Sequence, residues 1–135
     1  MPALPRTVLV VDDEPLILRL VEKMLRPRNF RIHVSPKPSE ALQIAESGPV
    51  HLLISDIAMP EMDGRRLAEK ILKLHPEAHV LLISGRYHEK PARILSDRIR
   101  FLSKPFFPSD LVRVLQEIFP ETQAGENKAS ETSAS

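Results

Sequence analysis

The chain of 135 residues contains no cysteine. This excludes disulfides, thiolate nucleophiles and sulfur-liganded zinc, and it suits a reducing compartment. Aromatic residues are scarce at 4%, so the core has to be built from Leu, Ile, Val and Ala. The hydrophobic share of 42% is ordinary for a soluble protein. Neither sign of charge is in excess: 19 basic residues against 18 acidic ones leave a net +1, mixed along the chain. There is accordingly no electrostatic case for a nucleic acid or a membrane surface as partner. No run approaches the ~18 apolar residues of a membrane span, and Met1 to Arg6 lacks an apolar signal segment. A cytoplasmic location is the expectation. The five histidines, His33, His51, His75, His79 and His88, show no paired ligand spacing and read as surface or strand positions.

What is present is a strict alternation. Val8–Val11, Arg31–Val34, Val50–Ile54, Val80–Ile83 and Ile99–Leu102 read as short strands, the second of them half-buried or at an edge. Leu16–Leu25 carries Ile17, Leu20, Val21 and Met24 at helical spacing. Ser39–Ser47, Arg65–Leu74 and Leu111–Phe119 follow the same rule, the last with Leu111, Val112, Leu115 and Ile118. Between Arg86 and Arg98, Pro91 and a mere two large apolar residues, Ile94 and Leu95, predict a short, late-starting or mobile helix. Most of the 13 prolines fall at junctions. Five strands alternating with five helices define an α/β fold, a doubly wound parallel sheet with helices on both faces. The domain is expected to span residues 6–120, and Glu121–Ser135, rich in Ser, Glu, Ala and Gln, to be a disordered tail.

The residues after each strand form the candidate site: Asp12 and Asp13, then Asp56, Ser84 and Lys104. In a parallel sheet these strand ends share one edge. If the strand order is 2-1-3-4-5, the three carboxylates converge where the order reverses. Three acids so placed repel one another unless a cation sits among them. An all-oxygen donor set suits Mg²⁺, with Mn²⁺ as the alternative, rather than zinc. Lys104 offers a mobile positive charge and Ser84 a hydroxyl donor, both suited to phosphoryl oxygens.

Four motifs carry a resemblance to a known family: Val10-Val11-Asp12-Asp13-Glu14, Asp56-Ile57-Ala58-Met59-Pro60-Glu61-Met62-Asp63-Gly64, Ile83-Ser84-Gly85 and Phe101-Leu102-Ser103-Lys104-Pro105-Phe106. Over Val8 to Phe119 the chain resembles the receiver domain of two-component response regulators, of the flavodoxin-like fold and the CheY-like superfamily. The resemblance implies the 2-1-3-4-5 order and a phosphoryl group taken onto Asp56 from a phosphohistidine of a sensor histidine kinase or histidine phosphotransfer protein. It implies Mg²⁺ held by Asp12 through water, by Asp13, by Asp56 and by the Ala58 backbone carbonyl. Lys104 and Ser84 would bind the phosphoryl oxygens, Ser84 and Phe101 would switch, and Lys104-Pro105 would be cis. Ala58 and Arg86 would tune the phosphoryl lifetime. A phosphorylation-dependent dimer and an unknown downstream protein complete the implied partners, because no output domain follows Phe119.

The chain departs from the family in its segment between Ser84 and Lys104, which lacks the usual Ala- and Gly-rich helix end. Phe107 stands where a capping Asp or Ser is usual, so the last helix would start on Pro108, Ser109 and Asp110. Three rival readings follow. The chain could be a receiver from the C-terminal end of a hybrid histidine kinase, or a phosphorylation-independent scaffold. It could also be a phosphohydrolase resembling the haloacid dehalogenases, a reading opposed by Ala58, where those enzymes place a second acid.

Overall fold

Leu9, Val11, Leu53, Val80 and Leu82 alternate along their strands so that one face of a sheet is apolar, and all five are buried. The computed structural model describes residues 4–85 and 98–120. The elements are β1 (Arg6–Val11), α1 (Pro15–Leu25), β2 (Phe30–Ser35), α2 (Pro38–Ser47), β3 (Leu52–Asp56), α3 (Gly64–Leu74), β4 (His79–Ser84), β5 (Ile99–Ser103) and α4 (Pro108–Ile118). The strands are parallel, in the order β2-β1-β3-β4-β5, as expected. The helix expected across Arg86–Arg98 falls, apart from Arg98, outside the described residues, as do Arg86 and the expected tail.

One face of the sheet packs on Ala41 and Ala45 of α2 and on Leu67, Ala68 and Ile71 of α3. Small residues on α2 let its backbone approach the strands closely. On the opposite face α1 lies against β1 and β2. Its buried stripe is Leu18, Val21 and Leu25, not the expected Ile17, Leu20, Val21 and Met24. Leu20 is 36% exposed. Both stripes are apolar at helical spacing, and the contact with the sheet decides which one turns inward.

Three helices begin earlier than the apolar pattern suggests, with Pro15, Pro38 or Pro108 in the first turn. Proline fits there because the first-turn amides have no helical acceptor to lose. In α4, taken by itself, Leu111, Val114, Leu115 and Ile118 are buried, so Val114 replaces the expected Val112. The Asp110 carboxylate accepts the Phe107 N–H at 2.8 Å, which supplies the expected start despite an uncapping side chain at 107.

Two strand ends differ in a way that matters for the site. β3 runs over Leu52–Asp56, not Val50–Ile54, because its ladder extends to Asp56 opposite Ile83. The Ile57 N–H continues it to the Ile83 carbonyl at 2.9 Å. Ser84 is likewise the last residue of β4. Both polar groups therefore sit on the rigid end of a strand rather than in the loop after it.

Candidate functional site

Asp12, the residue after β1, is 1% exposed. Its N–H donates to the Ser35 carbonyl at 3.3 Å, and its Oδ1 accepts the Glu14 N–H at 2.9 Å, a side-chain turn that leads the chain into α1. Asp56, closing the neighbouring strand, is 6% exposed, while Asp13 is exposed. One carboxylate oxygen from each of Asp12, Asp13 and Asp56 falls within 4.8 Å of the others. Lys104 reaches across from the end of β5, its Nζ 3.3 Å from Asp12 Oδ2 and 3.6 Å from Asp56 Oδ2. The Lys104 N–H donates to the Ser84 carbonyl at 2.7 Å, and the Lys104-Pro105 bond is cis, as expected.

The cleft is electrostatically unbalanced. Burial, then the Asp12 charge, pushes the Asp56 carboxyl up to about 6, against the opposing pull of Lys104. Burial raises Asp12 as well. For Lys104, burial alone would disfavour the ammonium, but the Glu14 hydrogen bond and the charges of Asp12 and Asp56 outweigh it and raise the group. Asp12 Oδ2 is buried and makes no well-aligned hydrogen bond, with Lys104 Nζ 3.3 Å away. A desolvated carboxylate oxygen left open beside two others, in an all-oxygen set, fits a hard divalent cation. Such a cation is expected to raise the urea midpoint at pH 7.5. The gain should disappear below about pH 5, where a proton occupies the Asp56 carboxyl, pushed up to about 6, instead; an equal gain at pH 4.5 would contradict this site.

The predicted residues do not all meet. Asp12, Asp13, Asp56 and Lys104 converge, and Ser84, 2% exposed, is joined to Lys104 through the backbone. Ala58 lies on the exposed loop after β3. Phe101 packs, partly buried, against the core on the α2 and α3 side. Arg86 lies outside the described residues. No described histidine joins the acidic cluster; His51 instead uses Nδ1 to accept the Thr7 N–H at 2.9 Å.

The sequence reading overlooked two residues. Glu14, the residue before α1, is the nearest carboxylate to Lys104, at 2.7 Å. Glu61 accepts the Ser39 N–H at 2.7 Å and the Ser39 hydroxyl at 3.1 Å, tying the loop that carries Ala58 to the first turn of α2. An acid at a helix start is a visible signal, but nothing in the sequence says that the helix lies 22 residues away. Glu61→Ala is expected to lower stability by about 0.5–1 kcal/mol, the usual cost of a lost N-terminal cap, with Ser39→Ala costing less. Matched urea titrations check the order.

Arg65 pairs with the Asp63 cap at 2.9 Å. Asp63 also accepts the Arg65 N–H at 2.7 Å. The Arg65 side-chain bond accordingly holds the Asp63 carboxyl below its usual range.

Fold and cleft together define a doubly wound α/β domain with a cation-ready acidic pocket at the point where strand order reverses. The sequence profile described as "Response regulator receiver domain" matches residues 8–116, and the chain belongs to that family. It is a receiver domain of phosphorelay signalling, a family that works with histidine kinases or phosphotransfer proteins.

The chain is 34% identical over 116 residues to the sensor kinase CckA of Brucella abortus, covering 83% of this chain and 12% of the kinase. It is 35% identical over 114 residues to an uncharacterized 14.6 kDa protein of Leptolyngbya boryana, covering 82% of this chain and 87% of that one. The crystal structure of the receiver domain from hybrid histidine kinase CckA superimposes with a TM-score of 0.71 at 32% identity, over 83% of this chain and 97% of that one. The chain thus spans about an eighth of the kinase it matches and most of the small cyanobacterial protein. Among the described residues, no helix is long and apolar enough to cross a membrane.

Proposed function

We propose that Asp56 is the phosphoacceptor of this receiver. One carboxylate oxygen of Asp56 attacks the phosphorus of a phosphohistidine on the partner. The P–N bond breaks, the imidazole leaves with its electron pair, and an acyl phosphate remains on Asp56. The observation that carries the reading is a buried Asp56 fixed at the end of β3, with Lys104 at 3.6 Å and Asp12 and Asp13 beside it. At neutral pH a carboxyl pushed up to about 6 is mostly ionised, so the nucleophile is available.

Asp12, Asp13, Asp56 and the Ala58 carbonyl would hold Mg²⁺, or Mn²⁺, which when bound offsets charge on the transferring group. Lys104 supplies the protein's own positive charge to the phosphoryl oxygens, and Ser84 a hydroxyl donor. Ser84 and Phe101 then shift to report the modification. Residues 6–120 form the working unit, in the cytoplasm, with no turnover beyond its own phosphorylation and dephosphorylation. Output passes to a protein partner rather than to nucleic acid or membrane.

The match to 12% of a sensor kinase favours a second reading, that this receiver serves within a hybrid kinase. Incubation with acetyl phosphate and Mg²⁺ is expected to add one phosphoryl group by intact mass, and EDTA to prevent it. An unchanged mass would leave a scaffold role, and turnover of a generic phosphate ester would point to a hydrolase.

A further inference from the structure

Lys104 is closer to Glu14 than to either acid of the cleft that it touches: 2.7 Å against 3.3 Å to Asp12 and 3.6 Å to Asp56. The placement of Glu14 is imposed by its backbone. It is the N-cap of α1, in extended conformation before Pro15. Its N–H is held by Asp12 Oδ1 at 2.9 Å, and its carbonyl accepts the Ile17 and Leu18 amides at 3.1 and 3.2 Å. From a main chain held on both sides, the Glu14 side chain reaches the lysine with Oε1. Glu14 is not among the three acids whose oxygens converge. Its side chain is 60% exposed, while that of Lys104 is 16% exposed, so the lysine is fixed in the cleft and the glutamate reaches in from its rim.

We propose that Glu14 is a positioning residue for Lys104, a resting-state counterion that competes with the Asp56 phosphoryl group for the ammonium and so limits how much phosphorylated protein accumulates. This rests on the reading of Asp56 as acceptor. An ammonium has three protons in a fixed spread; one directed at Glu14 at 2.7 Å is withheld from the cleft. Phosphorylation concentrates more negative charge at Asp56, and the lysine has to leave or share Glu14 to meet it. Glutamine at position 14 keeps the shape and the backbone hydrogen bonds but lowers the competition.

The test compares wild type, Glu14→Gln, Lys104→Ala and the double variant, treated with acetyl phosphate and Mg²⁺ and followed by intact mass. Glu14→Gln is expected to raise the steady phosphorylated fraction and lengthen the phosphoryl half-life by about two- to fivefold, the scale of one partly exposed ion pair. Its Mg²⁺ affinity should stay within about twofold, since Glu14 is outside the converging set, whereas Asp13→Asn loses affinity. In the Lys104→Ala background the same substitution should change nothing. An unchanged half-life with normal uptake, or an equal change in the Lys104→Ala background, overturns the assignment to Glu14 alone. No uptake by the wild type overturns the acceptor reading and this one with it.

Discussion

Asp56→Asn is expected to make the cation-free protein more stable while cutting phosphoryl uptake by at least about a hundredfold. The stability gain follows from the cost of ionising a buried carboxyl next to Asp12. The folded-state group is pushed up to about 6 from an ordinary 3.8, so between those values the unfolded chain releases a proton that the native state retains. Stability therefore falls as pH rises from about 4 to about 6, and the loss is complete above that window.

Asparagine has no such slope. The two proteins should agree near pH 4 and diverge to a constant gap at pH 7 and above. The shift sets a ceiling of about 3 kcal/mol, and solvent at the cleft mouth reduces it to about 1–2 kcal/mol. Saturating Mg²⁺ should close the gap by stabilising the wild type and not the variant. Urea midpoints across pH, with and without Mg²⁺, and intact mass after acetyl phosphate are the two readouts. A variant less stable than the wild type at pH 7.5 without cation, or one that still gains a phosphoryl group, would remove Asp56 from its role.

The second large effect comes from a residue with no functional group. A Cβ on Gly64 would sit 2.0 Å from the Asp56 carbonyl oxygen, 2.9 Å from its carbon and 3.0 Å from Ile57 Cα. These are backbone atoms at the end of β3 that cannot rotate aside. The φ of Gly64 is not positive, so the requirement is for space and not for an unusual conformation. The Gly64 N–H, donated to the Ile57 carbonyl at 2.7 Å, holds the start of α3 against the strand that presents Asp56.

Gly64→Ala is accordingly expected to cost about 2–3 kcal/mol, as overpacking does. It should slow phosphoryl uptake about tenfold by displacing the carboxylate. Gly48→Ala is the control: nothing lies within 4 Å of its Cβ, and its extended φ of −168° suits any residue, so uptake should be unchanged. Equal behaviour of the two alanine variants would refute the packing argument.

The alternation of strands and helices was readable because buried parallel strands are short and apolar, amphipathic helices repeat at 3.6 residues, and proline marks junctions. The acids, the serine and the lysine were readable because polar residues directly after apolar runs have to emerge at one edge of such a sheet. What periodicity misjudged was rotation and register. It chose the Leu20 stripe of α1 over that of Leu18, chose Val112 over Val114, and ended β3 before Asp56, because apolar character says nothing about which hydrogen bonds a ladder continues. Phe101 was legible as an aromatic in the last strand, but its packing against the α2 and α3 core was not.

By itself the sequence determined the class of fold, the family and the residue types of an acidic, lysine-bearing pocket, since each depends on local pattern and on motifs contiguous in the chain. The tertiary structure alone decided that Glu14 takes the nearest hold on a lysine 90 positions away, that Glu61 caps a helix it does not belong to, and that Asp56 is buried enough to be raised. Those outcomes depend on distances across space and on exclusion of water, and neither is encoded in the neighbours of a residue along the chain.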